Sequence, residues 1–419
     1  MKTTVALGII LLALSGLPLF LVISLASLAA FALAHIDTAA VAIEIYRLAS
    51  SPTLVTIPLF TLAGSLMAAS HTPQRLLRFF QALFGALPGG VAIMGLCACA
   101  FFTAFTGASG VTIIALGALL FPMLKEEGYS EKFSLGFMMS SGSLGLLFPP
   151  SLPIILYALV AHLDVEQLFK AGILPGFLLI LILSGWAILN GKTRKQSRRK
   201  FSWKELRMAI YFARYEIPLP FVVLFAIYNG WTTVNETATL TVLYVIFMEC
   251  FLYKDIQWQN LGGIIRQSLS MVGAILLILC CALGFTSYLI SEEVPMKIFE
   301  FLNTFIHNKY VFLIFLNIFL LIVGCLMDIF SAIVVVVPLI IPIAHNFGID
   351  PLHLAIIFLT NLEIGYLTPP VGMNLFIGSF TFKRSMLELY KASYPYLLLL
   401  ILGLVIITYI PALSLIFIK

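Results

Sequence analysis

A pair of adjacent prolines inside a long apolar run cannot sit in an unbroken helix, and this chain carries two such pairs, Pro149-Pro150 and Pro369-Pro370. Proline has no amide hydrogen to donate, and its ring collides with the preceding turn. In lipid no water replaces the lost hydrogen bonds, so a break of this kind survives only where it is buried in protein or lines a cavity. The freed carbonyls and the ends of the two half-helices then form a place that can hold a cation or an anionic group.

The second break lies in Asn361 to Asn374, Asn-Leu-Glu-Ile-Gly-Tyr-Leu-Thr-Pro-Pro-Val-Gly-Met-Asn, and the first in Ser140 to Pro153. They are 220 residues apart (369 − 149 = 220), and at the same offset Gly145 falls on Gly365, Gly128 on Gly348, Pro122 on Pro342 and Gly64 on Gly284. Ser130 and Asp350, both good helix N-caps, also coincide. Backbone geometry constrains glycine and proline most strongly, so agreement at these spacings indicates an internal duplication with one broken helix per half. A duplicated broken helix points to a transporter binding site.

Composition sets the class. Of 419 residues 61% are hydrophobic and 10% charged, which excludes a soluble globular chain and implies a polytopic membrane protein. The net charge of +5 resides in a few loops, so it speaks for orientation and against a nucleic-acid partner. All six cysteines lie in apolar segments and are expected to be buried, reduced thiols rather than a disulfide framework or a metal site. The N-terminal run from Val5 to Ala34 exceeds the roughly 7 to 15 residues of a signal-peptide core and is expected to remain as the first membrane segment.

Spanning helices need roughly 20 apolar residues. After the first run comes a second, about Thr53 to Ser70, then a charged piece with Arg75 and Arg78. Residues 86–124 are apolar over twice the spanning length, yet small and polar from Thr106 to Thr112. Two readings compete: two full crossings with a tight turn, or a re-entrant hairpin whose tip stops inside the membrane. The absence of charged or aromatic anchors at the tip favours the hairpin. A charged loop, Lys125 to Lys132, precedes the broken helix at 133–163, and Val165 to Asn190 crosses again.

Residues 191–215 hold the densest positive run, from Lys192 through Arg194, Lys195, Arg198, Arg199, Lys200, Lys204 and Arg207 to Arg214. It reads as a cytoplasmic loop, ahead of a lipid or partner site. Propagated from it, orientation puts Lys125 to Lys132 inside, so hairpin 86–124 enters from the cytoplasm. Going forward, Pro218 to Gly230 and Thr237 to Phe251 cross, Lys254 to Arg266 is inside, and Leu269 to Ile290 crosses out to an external Ser291 to His307. A second hairpin at 311–344 then enters from outside, and the broken helix at 352–382 returns to Lys383 and Arg384 inside. Pro395 to Ile416 is the last span. Opposite entry is what an inverted-topology repeat requires. The halves are thus 1–190 and 216–419, joined by the loop 191–215.

These residues resemble the large membrane subunit of the tripartite ATP-independent periplasmic (TRAP) transporters, within the ion transporter superfamily. The resemblance covers nearly the whole chain. It is carried by Pro58-Leu-Phe-Thr-Leu-Ala-Gly64, Leu87-Pro-Gly-Gly90, Gly142-Ser-Leu-Gly-Leu-Leu-Phe-Pro-Pro-Ser151, Ala171-Gly-Ile-Leu-Pro-Gly176, Asp328, and Gly348-Ile-Asp-Pro351 through Thr368-Pro-Pro-Val-Gly-Met-Asn374. The first hairpin tip, Thr106 to Thr112, is less serine-rich than the family's usual sequence. Membership implies an all-α, elevator-type protein with a scaffold and a transport domain, located in the bacterial inner membrane. It implies sodium-driven import of an organic acid handed over by a periplasmic substrate-binding protein, together with a small four-helix membrane subunit. Lipid is the surrounding solvent.

Each hairpin tip is expected to meet the broken helix of its own half around one sodium ion, the coupling cofactor, since sodium prefers hard oxygen ligands and unwound helix ends expose them. The first site is assigned to Ser109, Thr112, Gly142, Ser143 and Gly145, the second to Asp328, Ser331, Gly365, Thr368 and Gly372. The hydroxyl residues have a plainer reading as helix packing and back-bonding. Asp328 stands apart, because a carboxylate at membrane depth is costly and usually functional. Glu363 is the other buried acid, expected in a structural or ion-site role, and Asn361 is its possible partner. Glu236 is expected to serve a helix start. No lysine or arginine is read deep within a span, Lys170 lying in the first two turns of Val165 to Asn190, so a carboxylate substrate is expected at half-helix N-termini, with Ser151 and Asn374. The six histidines lack metal spacing.

Two other functions compete. A stand-alone sodium-coupled anion transporter of the same superfamily would work without a binding protein. A membrane-embedded enzyme needs a nucleophile-base pair or a metal cluster at membrane depth, and the sequence offers neither. ATP-driven pumping would need a phosphate-binding loop, which is also absent from the sequence.

Overall fold

The computed structural model describes residues 12, 17, 19–34, 37, 39–192, 201–306 and 308–418. Among these residues the architecture is helical, without a strand. The first half contains α1 (Leu19–Leu33), α2 (Ala39–Ala49), α3 (Thr56–Ala69), α4 (Thr72–Phe84), α5 (Gly90–Thr106), α6 (Ser109–Glu126), α7 (Glu131–Ser141), α8 (Leu152–Ala161) and α9 (Val165–Lys192). A short α10 (Trp203–Phe212) leads to α11 (Pro218–Tyr228), α12 (Val234–Phe247), α13 (Trp258–Ser291), α14 (Val294–Asn303), α15 (Lys309–Leu326) and α16 (Ile329–Asn346). The chain ends with α17 (Pro351–Gly365), α18 (Met373–Phe382), α19 (Met386–Tyr409) and α20 (Ala412–Leu415).

The duplication is present in the backbone. Helices α6 and α16 start 220 residues apart (329 − 109 = 220), as do α7 and α17 (351 − 131 = 220). The turns before α7 and α17 repeat a left-handed glycine, Gly128 at φ 86° and Gly348 at φ 71°. The caps repeat too: the Ser130 hydroxyl accepts from the Phe133 amide, and the Asp350 carboxylate from those of Leu352 and His353. Both proline pairs are cis. Glu236 forms a capping box with Thr233 at the start of α12, the helix-start role expected for it.

Packing between the halves is reciprocal. Helix α6 lies on α18 and α16 on α8, while α7 packs on α19 and α17 on α9. Such an exchange is isologous, each half giving the other the surface it receives. At the centre, every residue of α17 from Leu352 to Gly365 is buried, and so is every residue of α7 from Phe133 to Ser141. Both helices are enclosed on all sides, and the polar residues they carry, Ser134, Ser140 and Ser141 on α7 and His353, Thr360, Asn361 and Glu363 on α17, are buried with them. Around them α13, α15 and α19 expose Leu277, Phe315 and Leu402 outward.

Seven described helices are long and apolar enough to cross a membrane, up to nine if each bent pair counts as one span, so the protein is a multi-pass membrane protein. By this measure α6, α15 and α16 qualify individually. The expected crossing at Pro218 to Gly230 is only the 11-residue α11, short of the usual span.

Several expected loops are helical. The basic loop contains α10, the charged piece after Ser70 is α4, and the segment 291–307 contains α14. Helix α13 runs for 34 residues and takes in most of the stretch from Lys254 to Arg266. These helices carry charge on one side and so escape a search for uniformly apolar runs. Arg194, Lys195, Arg198, Arg199 and Lys200 lie outside the described residues.

Candidate ion and substrate site

The tips of the two hairpins are two residues long, Gly107-Ala108 and Met327-Asp328, and Ala108 and Asp328 take equivalent N-cap positions (328 − 108 = 220). Each tip sits against the break of its own half, as the duplication leads one to expect.

In the first half, Thr103 on α5 is the hub. Its hydroxyl donates to the Gly142 carbonyl at 2.9 Å and lies 2.7 Å from the Thr112 hydroxyl. A hydroxyl has one proton, so Thr112 is the donor in the second contact. A Cβ on Gly145 would meet the Ala100 carbonyl and the Thr103 side chain, and one on Gly142 would lie 2.5 Å from the Ile113 side chain and 3.4 Å from the Ser109 carbonyl. Glycine is therefore required at both places by close approach. Ser109, Thr112, Gly142 and Gly145 thus converge, with Ser143 next in chain. The hydroxyls of Ser143 and Thr106 are buried without a hydrogen-bond partner.

In the second half, a Cβ on Gly365 would fall 2.6 Å from the Gly324 backbone. Gly324 is the counterpart of Ala104, whose amide faces Gly145 in the same way (324 − 104 = 220). The Gly372 amide donates to the Cys325 carbonyl at 3.3 Å, and the Thr368 hydroxyl to the Gly365 carbonyl at 2.8 Å. Asp328 is the N-cap of α16: one oxygen accepts from the Phe330 and Ser331 amides at 3.0 Å, the other from the Ser331 hydroxyl at 2.5 Å. The Ile329 amide donates to the Tyr366 hydroxyl at 2.7 Å, which ties this tip to α17's end. Thr103, Gly324, Cys325 and Tyr366 belong to these clusters although motif reading passed over them. The 220-residue offset applied to the hairpins points to Gly324, as the partner of Ala104.

Ser151 and Asn374 occupy the N-terminal ends of α8 and α18. Both are buried. The Asn374 amide donates to the Met139 carbonyl at 2.9 Å, bridging the halves, while its oxygen and the Ser151 hydroxyl are unpartnered. Asn361 hydrogen-bonds Asn317 at 2.7 Å and the Ile357 carbonyl at 2.8 Å, so the Glu363 pairing considered from sequence is not formed. Residues two apart on a helix point in different directions. Both Glu363 oxygens are buried without a hydrogen-bond partner.

The two breaks differ in exposure. Pro149, Pro150 and Ser151 are buried, whereas their counterparts Pro369, Pro370 and Val371 are exposed, Val371 by 41%. The Pro370 carbonyl accepts from the Tyr390 hydroxyl at 2.5 Å.

One polar cluster outside this centre was not legible. Arg75 on α4 is buried and pairs with Glu216, with Glu249 at 3.2 Å and with Asp255 at 2.6 Å. Its guanidinium also lies 3.8 Å from the Tyr253 ring centroid.

Comparison with known proteins agrees with this layout. Residues 6–413 match the family described as "Tripartite ATP-independent periplasmic transporter, DctM component". A C4-dicarboxylate TRAP transporter large permease protein of Pseudomonas aeruginosa is 34% identical over 375 residues, covering 89% of this chain and 88% of that one. Its counterpart in Rhodobacter capsulatus is 30% identical, covering 99% and 98%. An isethionate TRAP transporter permease of Oleidesulfovibrio alaskensis is 33% identical over 87% of this chain, and the chain spans 58% of that protein. The solved YdaH transporter of Alcanivorax borkumensis matches at TM-score 0.64 and 15% identity, over 89% of this chain and 87% of that one, a likeness of fold alone. A family match over residues 6–413, with relatives 30% or more identical along most of both chains, places this chain in the DctM family as a TRAP transporter large permease.

Proposed function

We propose that the chain works in the bacterial inner membrane as the large subunit of a sodium-coupled secondary importer of a carboxylated organic acid. A periplasmic binding protein delivers the acid, and a small four-helix membrane subunit completes the transporter. Relatives named for C4-dicarboxylates and for 2,3-diketo-L-gulonate support the substrate class. The hairpins are re-entrant from opposite faces, in keeping with a first tip, Gly107-Ala108, that carries no charge or aromatic anchor. Sodium is cargo at the two tip clusters, where hydroxyls and helix-end carbonyls supply hard oxygen ligands. The acid's carboxylate lies at the N-terminal ends of α8 and α18, where amides and the helix dipole favour negative charge.

The observation that carries this reading is the unequal exposure of two equivalent breaks. In a duplicated transporter, alternating access means that one half opens while the other stays closed. The exposed break is tied to Tyr390, the fifth residue of α19, a helix that begins two residues beyond Arg384. By the distribution of positive charge Arg384 is cytoplasmic, so this conformation is inward-open, and an elevator motion of the central helices against the scaffold exposes the site outward.

Uptake into proteoliposomes containing this chain and the small subunit tests the reading, with candidate acids, an inward sodium gradient and the binding protein. Uptake that needs both gradient and binding protein is the expected result. Sodium-driven uptake without the binding protein would instead identify a stand-alone anion transporter, and uptake indifferent to sodium would remove the coupling ion.

A further inference from the structure

Glu363 and Ser143 are counterparts at the repeat offset (363 − 143 = 220). They are also spatial neighbours, with the Ser143 hydroxyl facing the Glu363 carboxylate. Two residues that correspond under an isologous exchange and meet each other must straddle its axis. Their meeting point is therefore where the two halves cross, with α17 packed on the turn of the first break, Leu144–Leu147. Neither carboxylate oxygen nor the hydroxyl has a hydrogen-bond partner, and both residues are fully buried. A bare carboxylate at membrane depth is costly unless a cation or a proton compensates it.

The expected ion sites are unequal in charge within their own halves. The second contains Asp328, whereas Ser109, Thr112, Gly142, Ser143 and Gly145 are all neutral and the counterpart of Asp328 is Ala108. Glu363 is the acid that reaches the first cluster, and it comes from the other half.

We infer that Glu363 is a ligand of the first sodium site, completing across the repeat axis a cluster that its own half leaves without charge. A hard cation draws several oxygens to about 2.3 to 2.6 Å, so buried oxygens that make no hydrogen bond are free to be gathered by one ion. The first site then joins the halves, while the second stays within one. Sodium binding there ties α7 to α17, the two helices at the centre of the moving body.

This rests on the sodium reading above, and the test separates the two. The purified full chain with its small subunit is placed in nanodiscs, and its thermal midpoint is followed as sodium replaces potassium at constant ionic strength. Wild type is expected to be stabilised selectively by sodium. In Glu363→Gln the half-saturating sodium concentration should rise roughly tenfold or more, the weight of a charged ligand. Ser143→Ala, which removes the facing hydroxyl with little change in volume, should shift it in the same direction and decides the matter if Glu363→Gln does not fold. A sodium response in wild type that both variants keep unchanged overturns the inference and leaves the sodium reading standing. No sodium response in wild type overturns both.

Discussion

Asp328 is the cap of α16, accepting from two amides and a hydroxyl, and is the carboxylate proposed above as a sodium ligand. Asp328→Ala removes both and should cost about 0.5 to 2 kcal/mol through the cap alone, besides abolishing sodium-driven uptake. Asparagine caps as well as aspartate. Asp328→Asn should therefore leave the thermal midpoint nearly unchanged while raising the sodium requirement of uptake, and equal loss in both would reduce Asp328 to a structural role. Arg75 is bound to three acids, and Arg75→Ala should destabilise by about 3 to 5 kcal/mol because buried carboxylates lose their counter-charge. Thermal unfolding of the variant measures this.

Asp255, outside the spans, adds a pH dependence at the same scale. Burial pushes its carboxyl up, yet hydrogen bonds from the Arg75 guanidinium and the His71 amide prevail and hold it below the usual carboxylate range. A depressed folded value contributes stability that is present above the unfolded value of about 3.9 and lost as pH falls through the folded one. Acid unfolding should therefore be less steep in Asp255→Asn.

At the scale of elements, the breaks and hairpins depend on glycines that let backbones touch. Gly145→Ala and Gly365→Ala each drive a methyl into the facing helix of the same half, so each should cost about 1 to 3 kcal/mol by overpacking and slow uptake. Gly263→Ala, with open space around it, is the matched control. Sequence marked these elements well, because proline and glycine are dictated by local geometry. It marked α4, α10 and α14 poorly. Their apolar residues occupy one face only, and which face is covered depends on a partner such as α4 against α10. Arg75 was read only as part of a charged piece for the same reason, since its three acids lie at least 141 residues away in the chain.

For the whole molecule, unequal exposure of equivalent breaks makes a labelling prediction. Val371→Cys should react with a membrane-impermeant maleimide from the cytoplasmic face, above the background of the native thiols, while Ser151→Cys stays protected. Labelling from the periplasmic face alone would reverse the assigned state.

The sequence by itself determined the membrane class, the duplication, the two breaks, the caps of α7 and α17 and the glycines at the breaks, because lipid and backbone sterics act locally and leave few residue types to choose from. Only the tertiary structure decided that Thr103 organises the first cluster, that Asn361 turns to Asn317, that one break is sealed while its twin is open, and that Glu363 of one half faces Ser143 of the other. Those are long-range pairings set by how two copies of one fold exchange surfaces, and no local pattern encodes them.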